Sequence, residues 1–274
     1  VPYEALGALG WIETMLSYQH GYHAGNLADV HKHATLAACL SYLTQKDKPI
    51  SYIETHSGRA LYHLDDDAAL KTGEAEQGIR VAQERDWFSP QHPYAKVLDT
   101  CRADHGATAY PGSPMIAEQI LRDTDTLHLA ELHPQEADAL RYVMPAANVY
   151  QQDGFEMALS ITPPTPRRGM MLIDPSYEIK TDYGVIPDFI GKVNKKWNVG
   201  IILLWYPLLT SNAHKPMITA LQHQFDDAIT HEVTFPPARD GHRMIGSGLF
   251  MINAPFGIDA ELNALSRQFA KLGS

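Results

Sequence analysis

Short apolar runs alternate with longer amphipathic segments along most of the chain. Apolar runs rich in β-branched residues are typical of buried strands, and apolar residues three or four positions apart are typical of helices. The predicted strands are Ile50–Glu54, Thr126–Glu131, Asn148–Gln152, Gly169–Asp174, Val199–Trp205 and Gly248–Asn253. The predicted helices are Asp29–Leu43, Pro114–Leu121, Pro134–Val143 and Ile186–Lys195. This alternation predicts an α/β fold with a mostly parallel central sheet covered by helices on both faces.

Residues 60–110 interrupt the alternation, because they hold many charges, no clear strand and a helix-like stretch over Thr72–Glu84. We expect a small helical subdomain here, inserted between the first strand and the turn at Pro111–Pro114. The remaining residues, 1–59 and 111–274, would then form one main domain. Two loops are also expected, at Pro163–Pro166 and at Pro236–Gly248, the second carrying Arg239, His242 and Arg243.

Composition indicates an ordinary globular chain, since hydrophobic residues make up 45% of its 274 positions. The longest apolar run, Ile201–Leu209, is too short to cross a bilayer, and the first residues lack the basic start of a secretory signal. Cys39 and Cys101 are isolated and show no metal-ligand spacing, which favours a reduced compartment. We therefore expect a cytoplasmic protein without a membrane partner.

The charge balance counts modestly against a polynucleotide partner. The chain has 22 Lys plus Arg against 32 Asp plus Glu, a net charge of −10, whereas phosphate contacts normally need a basic surface. Local basic clusters could still supply one. They are Arg167 with Arg168, Lys192 with Lys195 and Lys196, and Arg239 with Arg243.

The stretch Met-Met-Leu-Ile-Asp-Pro-Ser-Tyr at residues 170–177 carries the most specific chemistry. It predicts a buried strand with Asp174, Pro175 and Tyr177 at its carboxyl end, where ligands bind in open parallel sheets. Asp174 can accept a hydrogen bond from an exocyclic amine, and Tyr177 can stack on a flat base. The stretch resembles the [D/N/S]-P-P-[Y/F] motif of amino-methyltransferases that use S-adenosyl-L-methionine (SAM). A plain strand followed by an Asp-Pro turn is the alternative.

Three other strand ends carry polar residues that a nucleoside cofactor could use. Ser-Tyr-Ile-Glu-Thr-His-Ser-Gly (51–58) places Glu54, His56 and Gly58 after the first strand. Glu131 ends a second strand, where an acid commonly binds ribose hydroxyls. Asp153 and Gly154 follow a third and suit an adenine edge. Each acid could instead cap the next helix, but their order along the chain favours a methyltransferase over a dehydrogenase.

Four histidines near the N-terminus, His20, His23, His31 and His33, raise the possibility of a zinc site. Residues two apart on a helix point to different faces, so His31 and His33 would not converge on one ion. No Glu completes an H-E-x-x-H pattern. We therefore predict no metal, with a structural hydrogen-bond network as the alternative use of these side chains.

Taken together, these motifs resemble the family of 23S ribosomal RNA adenine-N6 methyltransferases, whose older label concerns the use of external DNA as a nutrient. The resemblance runs from Met15 to about Phe256. It rests on Y-x-H-x-x-H-A-G-N-x-A-D-V-x-K-H, E-T-H-S-G, Y-P-G-S-P, E-L-H-P, D-G-F and I-D-P-S-Y. It implies a Rossmann-like methyltransferase fold with a helical insertion, SAM as methyl donor, and a specific adenine in 23S ribosomal RNA as substrate.

The resemblance also assigns residues. It implies cofactor contacts at Lys32, His33, His56, Ser113, Glu131, Asp153, Gly154 and Asp174. It implies that Tyr18 and His20 gate the substrate, that Asp174 and Tyr177 are catalytic, and that Tyr177 also binds the substrate base. The chain departs from the family pattern at Ser176, where proline is common, and at Arg59–Ala60, where the loop is usually richer in glycine. Residues 1–14 lie outside the resemblance and are expected to be an extension.

Alternatives remain at this stage. A DNA adenine-N6 methyltransferase would share every site residue. A non-catalytic DNA-utilisation factor or a histidine-dependent metallohydrolase would have no reason to bind SAM. We expect the protein to be a monomer that binds 23S ribosomal RNA.

Overall fold

The computed structural model describes residues 20–177, 181–239 and 241–273. The strands are β1 Ser51–Glu54, β2 Leu61–His63, β3 Ala109–Pro111, β4 Thr126–Ala130, β5 Asn148–Tyr150, β6 Gly169–Ile173, β7 Ile201–Leu209, β8 Ile229–Thr234 and β9 Met244–Ile252. A 3₁₀ turn at His20–Tyr22 precedes the α-helices. These are α1 Leu27–Thr44, α2 Asp67–Thr72, α3 Glu74–Gln77, α4 Ile79–Glu84, α5 Pro93–His105, α6 Ser113–Ile120, α7 Pro134–Val143, α8 Gly154–Ile161, α9 Asp182–Lys196, α10 Lys215–Gln224 and α11 Ile258–Ala270.

A seven-stranded sheet in the order β5-β4-β1-β6-β7-β9-β8 forms the centre of the described chain. The first five strands in this order are parallel, and β9 pairs antiparallel with both β7 and β8. The predicted α/β class with a mostly parallel sheet is confirmed. The chain leaves β1 towards β4 and β5 on one side and later returns to β6 on the other. The carboxyl ends of β1 and β6 therefore flank the point where the strand order reverses, and ligands bind at such points in open α/β sheets.

The middle strands are buried because both of their faces are covered. All residues of β1 and β6 are buried, as expected for parallel strands with helices on either side. Helix α1 is buried along most of its length and contacts α5, α6, α11 and β9. Its amino end is capped by Asn26, whose side chain accepts a hydrogen bond from the Asp29 amide at 2.9 Å. This burial fixes the polar side chains that α1 directs towards the sheet edge.

The segment 60–110 corrects one expectation. Strands β2 and β3 lie within or at the border of this segment and pair antiparallel. No strand was expected here, because a strand of three residues leaves almost no periodic signal in the sequence. The helix-like stretch Thr72–Glu84 is broken at Gly73 and Gly78, which separate three short helices. Tyr62, Ile79 and Tyr94 share one hydrophobic core with α1. The division into two domains stays a prediction.

Strand β9 corrects the loop expected over Pro236–Gly248, because β9 already begins at Met244. Strand β8 was not predicted. It lies at the sheet edge, and its sequence Ile-Thr-His-Glu-Val-Thr has only two apolar residues, of which Val233 alone is buried.

Candidate active site

One cavity of about 580 Å³ opens at the carboxyl edge of the sheet, within the size range of small-molecule sites. It is bordered by the segments that follow β1, β4, β5 and β6 and by the amino half of α1. Nine predicted site residues lie in its wall, namely Lys32, His33, His56, Ser113, Glu131, Asp153, Gly154, Asp174 and Tyr177. Tyr18 lies outside the described residues, as does the side chain of His20. Their proposed gating role stays a prediction.

Asp174 follows β6 and is held by an ion pair from α1. Its Oδ2 accepts a hydrogen bond from Lys32 Nζ at 2.5 Å, and Lys32 Nζ also lies 3.0 Å from Asp29 Oδ1. Burial alone would lower the pKa of Lys32, but the Asp174 and Asp29 carboxylates raise it above the usual value. Asp174 Oδ1 has no hydrogen-bond partner among residues 20–177, 181–239 and 241–273. One carboxylate oxygen is thus engaged and the other is available to a ligand.

A second buried carboxyl group lies behind the cavity wall at the end of β1. Glu54 is fully buried and accepts hydrogen bonds from the Ser113 hydroxyl at 2.5 Å and the Tyr52 hydroxyl at 2.9 Å. Burial raises the pKa of Glu54 to about 8, although the two hydroxyl donors lower it. The Ser113 hydroxyl is therefore held in one orientation at the cavity surface.

Glu131 organises the turn after β1. Its carboxylate accepts hydrogen bonds from the backbone N–H groups of Gly58 at 2.8 Å and His133 at 2.7 Å. Burial raises its pKa above 4.5, against the lowering effect of these donors. Two polar atoms beside it, Ser57 Oγ and His133 Nδ1, are buried without a hydrogen-bond partner among the described residues. Buried polar atoms of this kind normally need a partner, so they indicate a polar ligand in this half of the cavity.

Asp153 and Gly154 begin α8 at the other side of this turn. Asp153 caps the helix by accepting a hydrogen bond from the Glu156 amide at 2.8 Å, as the helix-capping alternative expected. Gly154 packs against the Thr55 backbone so closely that a β-carbon would collide with the Thr55 carbonyl. Phe155 contacts the His56 ring, with centroids 5.3 Å apart, and burial lowers the pKa of His56. An apolar slot therefore lies beside the polar turn.

Tyr177 packs into the protein more deeply than a freely exposed stacking residue. Its side chain is 7% exposed and its φ is 56°. Its hydroxyl donates to the Trp205 carbonyl at 2.7 Å, and its ring lies 4.7 Å from that of Tyr183. Its part in base stacking stays a prediction.

The structure adds residues that the sequence did not suggest, chiefly Ser57, His133 and Trp205. The Trp205 ring lines the cavity and lies 5.6 Å from Lys32 Nζ. An indole near the end of a predicted apolar strand was the available signal, but core packing explains such a residue equally well.

Two of the four N-terminal histidines, His23 and His31, form the hydrogen-bond network that the structural alternative expected. His31 is fully buried and hydrogen-bonds to Ser247 and His231 at 2.9 and 2.8 Å, and His23 pairs with Glu74. Among the described residues, no group of three or more His, Cys, Asp or Glu could hold a metal ion.

No helix in the described part of the chain is long and apolar enough to cross a membrane.

Comparison with known proteins extends over almost the whole chain. A family model described as "Ribosomal RNA large subunit methyltransferase D, RlmJ" matches residues 47–272. Proteins named "Ribosomal RNA large subunit methyltransferase J" from Escherichia coli and Haemophilus influenzae are 38% and 34% identical, over 91% and 92% of both chains. A crystal structure of a Legionella pneumophila protein is 34% identical, with a TM-score of 0.82, and the match covers 91% of this chain and 94% of that one.

Proposed function

The chain belongs to the family of ribosomal RNA large subunit methyltransferases, and we propose that it transfers a methyl group from SAM to N6 of a specific adenine in 23S ribosomal RNA. Family membership confirms the predicted class, a SAM-dependent methyltransferase of ribosomal RNA. The single observation that carries the residue-level proposal is the position of Asp174. It lies at the switch point of the sheet, in the same cavity as all the other predicted cofactor residues that the structure describes.

The cavity suits SAM in three respects. Glu131 can accept from ribose hydroxyls at the tip of β4, and the buried Ser57 Oγ and His133 Nδ1 would gain partners there. The apolar slot beside Phe155 suits the adenine ring, since Leu132 also lies in the cavity wall and Asp153 and Gly154 adjoin Phe155. Lys32 and the oriented Ser113 hydroxyl lie in the same cavity wall and can bind the charged amino-acid end of SAM. When bound, SAM supplies a methyl group on a positively charged sulfur.

Asp174 would act by orienting the nucleophile. The N6 lone pair of adenine is delocalised into the ring, so the amine is a poor nucleophile. A hydrogen bond from N6 to Asp174 Oδ1 would favour a more tetrahedral nitrogen, with its lone pair directed at the methyl group. Fixing both reactants in one geometry can contribute about 7–11 kcal/mol to lowering the barrier.

Lys32 fixes the direction of the Asp174 carboxylate. Its ammonium group engages Oδ2 at 2.5 Å, and Asp29 holds that ammonium from the next turn of α1. The carboxylate is thus prevented from rotating away from the cavity. The proton lost from N6 can pass to water, because a protonated aromatic amine is acidic. Orientation of N6 is therefore the main role proposed for Asp174.

The target adenine must be unpaired or flipped out, because N6 lies within the base pairs of a helix. The aromatic wall of Tyr177 and Trp205 borders Asp174, and we propose that it receives the base. The substrate-gating role expected of Tyr18 and His20 is part of the same proposal.

A direct comparison of substrates tests this function. Purified protein should methylate 23S ribosomal RNA from cells that lack it and should leave genomic DNA from the same cells unmodified. Transfer to DNA alone would favour the DNA adenine methyltransferase. Failure to bind SAM in a calorimetric titration would favour the non-catalytic alternative. A cytoplasmic location follows from a ribosomal substrate, and the monomeric state stays a prediction.

A further inference from the structure

The three basic clusters in the sequence lie at opposite edges of the sheet. Arg167 and Arg168 precede β6, and Lys195 and Lys196 end α9, which leads into β7. Both clusters are therefore at the amino edge, away from the cavity, and Arg167 contacts the Lys196 carbonyl at 3.5 Å. The segment 235–243 joins β8 to β9 at the carboxyl edge. We call it the basic arm, and it carries Arg239 and Arg243.

The basic arm borders the cavity mouth. His242, within the arm, and Met244, directly after it, line the cavity. The His242 Nδ1 atom is buried without a hydrogen-bond partner in the described part of the chain. A ligand that leaves the cavity on this side would therefore meet the arm first.

Several contacts hold the arm against the body of the protein. At its base, the Phe235 amide donates to the Ile245 carbonyl at 3.0 Å, and the Thr210 amide donates to the Arg243 carbonyl at 3.0 Å. The His242 amide donates to the Arg239 carbonyl at 3.0 Å, which closes a turn at the tip. Gln77 Nε2 donates to the Ala238 carbonyl at 3.1 Å. These contacts restrain the described residues of the arm in the absence of a ligand, which reduces the entropic cost of binding.

The two arginines of the arm are available for binding. Both are exposed, and neither forms an ion pair with any residue that the structure describes. By contrast, four other arginines are paired with carboxylates, namely Arg59, Arg80, Arg122 and Arg141. The arm sequence also contains Asp240, which lies outside the described residues. Two exposed guanidinium groups that form no ion pair with the described residues, on a segment that borders the cavity mouth, make a local site for anions in a chain with net charge −10.

We propose that the basic arm binds the phosphate backbone of the RNA strand next to the target adenine, through Arg239 and Arg243. The inference rests on the proposed function, because it assigns the contact surface for that same RNA. Guanidinium groups bind phosphate oxygens in a bidentate manner, and such contacts position a strand without selecting its sequence. The arm therefore places the RNA while the cavity selects the base.

The test uses Arg239→Gln/Arg243→Gln, with Arg167→Gln/Lys195→Gln as the matched control. The control removes two exposed cations from the amino edge. Binding of 23S ribosomal RNA from cells lacking the protein is measured at several salt concentrations, beside the methylation KM for that RNA. The plot of log K against log salt has a negative slope, and for the arm variant the magnitude of that slope should decrease by about 0.7 for each lost phosphate contact to a single strand. The KM for RNA should rise about tenfold at physiological salt, while the control stays close to wild type.

Two further measurements separate the possible outcomes. SAM affinity reports whether the variants are folded, and Arg239→Lys/Arg243→Lys should restore most of the salt slope because it retains the charges. An unchanged slope in the glutamine variant, or an equal loss in the control, would overturn the proposed arm even if the wild type methylates RNA. Absence of methylation by the wild type would instead refute the proposed function.

Discussion

At the scale of single residues, the candidate site concentrates buried charge. Asp29 and Lys32 are almost fully buried, and Asp174 is 12% exposed. Buried ion pairs contribute little net stability, because desolvation offsets most of the attraction between the charges. Their presence here is better explained by positioning: they direct one oxygen of Asp174 into the cavity.

Glu131 gives the first prediction at this scale. If Glu131 binds the ribose hydroxyls, Glu131→Ala removes charge-assisted hydrogen bonds worth about 1.5–3 kcal/mol. SAM affinity measured by calorimetry should then fall by about ten- to a hundredfold. Glu131→Gln is a partial control that should lose less affinity, because its single amide oxygen can still accept from one of the two amides, Gly58 or His133, while its NH2 group faces the other. If the SAM affinity of Glu131→Ala were unchanged, the role of this carboxylate would be limited to stabilising the turn after β1.

Glu54 gives a prediction about pH. Its pKa is raised to about 8, so between pH 4.5 and 8 the unfolded chain releases a proton that the folded protein retains. The free energy of unfolding should therefore decrease as pH rises through this window. Glu54→Gln cannot ionise and should lack this decrease. The free energy of unfolding is measured by urea denaturation for both proteins. The difference in this free energy between Glu54→Gln and the wild type should grow by roughly 3 kcal/mol from about pH 5 to pH 8. If the free energy of unfolding changed equally with pH in the two proteins, the raised pKa of Glu54 would be contradicted.

At the scale of secondary structure, the loops after the parallel strands carry the side chains that line the cavity. Helix α1 supplies the buried ammonium group of Lys32, which pairs with Asp174. This arrangement depends on close packing of α8 against β1. Gly154 makes that packing possible, because its α-carbon faces the Thr55 carbonyl where a side chain would collide.

Gly154→Ala should displace α8 and with it the Asp153 end of the cavity. Overpacking of this kind costs about 1–3 kcal/mol, so the free energy of unfolding should fall, with a loss of SAM affinity. Gly184→Ala is the matched control: a β-carbon there meets nothing within 4 Å and the residue lies in α9. The control should be neutral or slightly stabilising. Equal thermal stability and SAM affinity for both variants would show that α8 does not depend on this glycine.

The sequence predicted the central parallel strands well, because their burial on both faces leaves continuous apolar runs such as Gly169–Ile173. It missed the edge strand β8 and the short pair β2 and β3, whose patterns are too weak or too short. It also missed helices α2, α5, α8, α10 and α11. Of these, α11 carries a clear amphipathic pattern after Gly257 that could have been recognised.

The site was predictable only in part. Acids at strand ends are local features, so Glu131, Asp153 and Asp174 were found from the residues, and the family resemblance supplied Lys32 and Ser113. The pairing of Lys32 with Asp174 joins positions 142 residues apart. The orphan polar atoms of Ser57 and His133 likewise appear only after folding. No local pattern encodes either feature, because both result from tertiary packing.

At the scale of the whole molecule, an acidic chain must bind a polyanion. The net charge of −10 repels RNA at long range, so binding depends on where the cations lie. In this fold, the two arginines of the basic arm, which pair with none of the described carboxylates, share the carboxyl edge of the sheet with the cavity. Association with RNA should accordingly be oriented, with the reactive edge approaching first.

The central claim is that Asp174 orients adenine N6 for methyl transfer, and single-turnover methylation of 23S ribosomal RNA at saturating SAM tests it most directly. Asp174→Asn keeps the size of the side chain but removes its charge, and Asp188→Asn makes the same change on the exposed surface of α9. We expect Asp174→Asn to lower the rate by about a hundredfold or more, with the protein folded and Asp188→Asn at the wild-type rate. A near-wild-type rate for Asp174→Asn would contradict the mechanism.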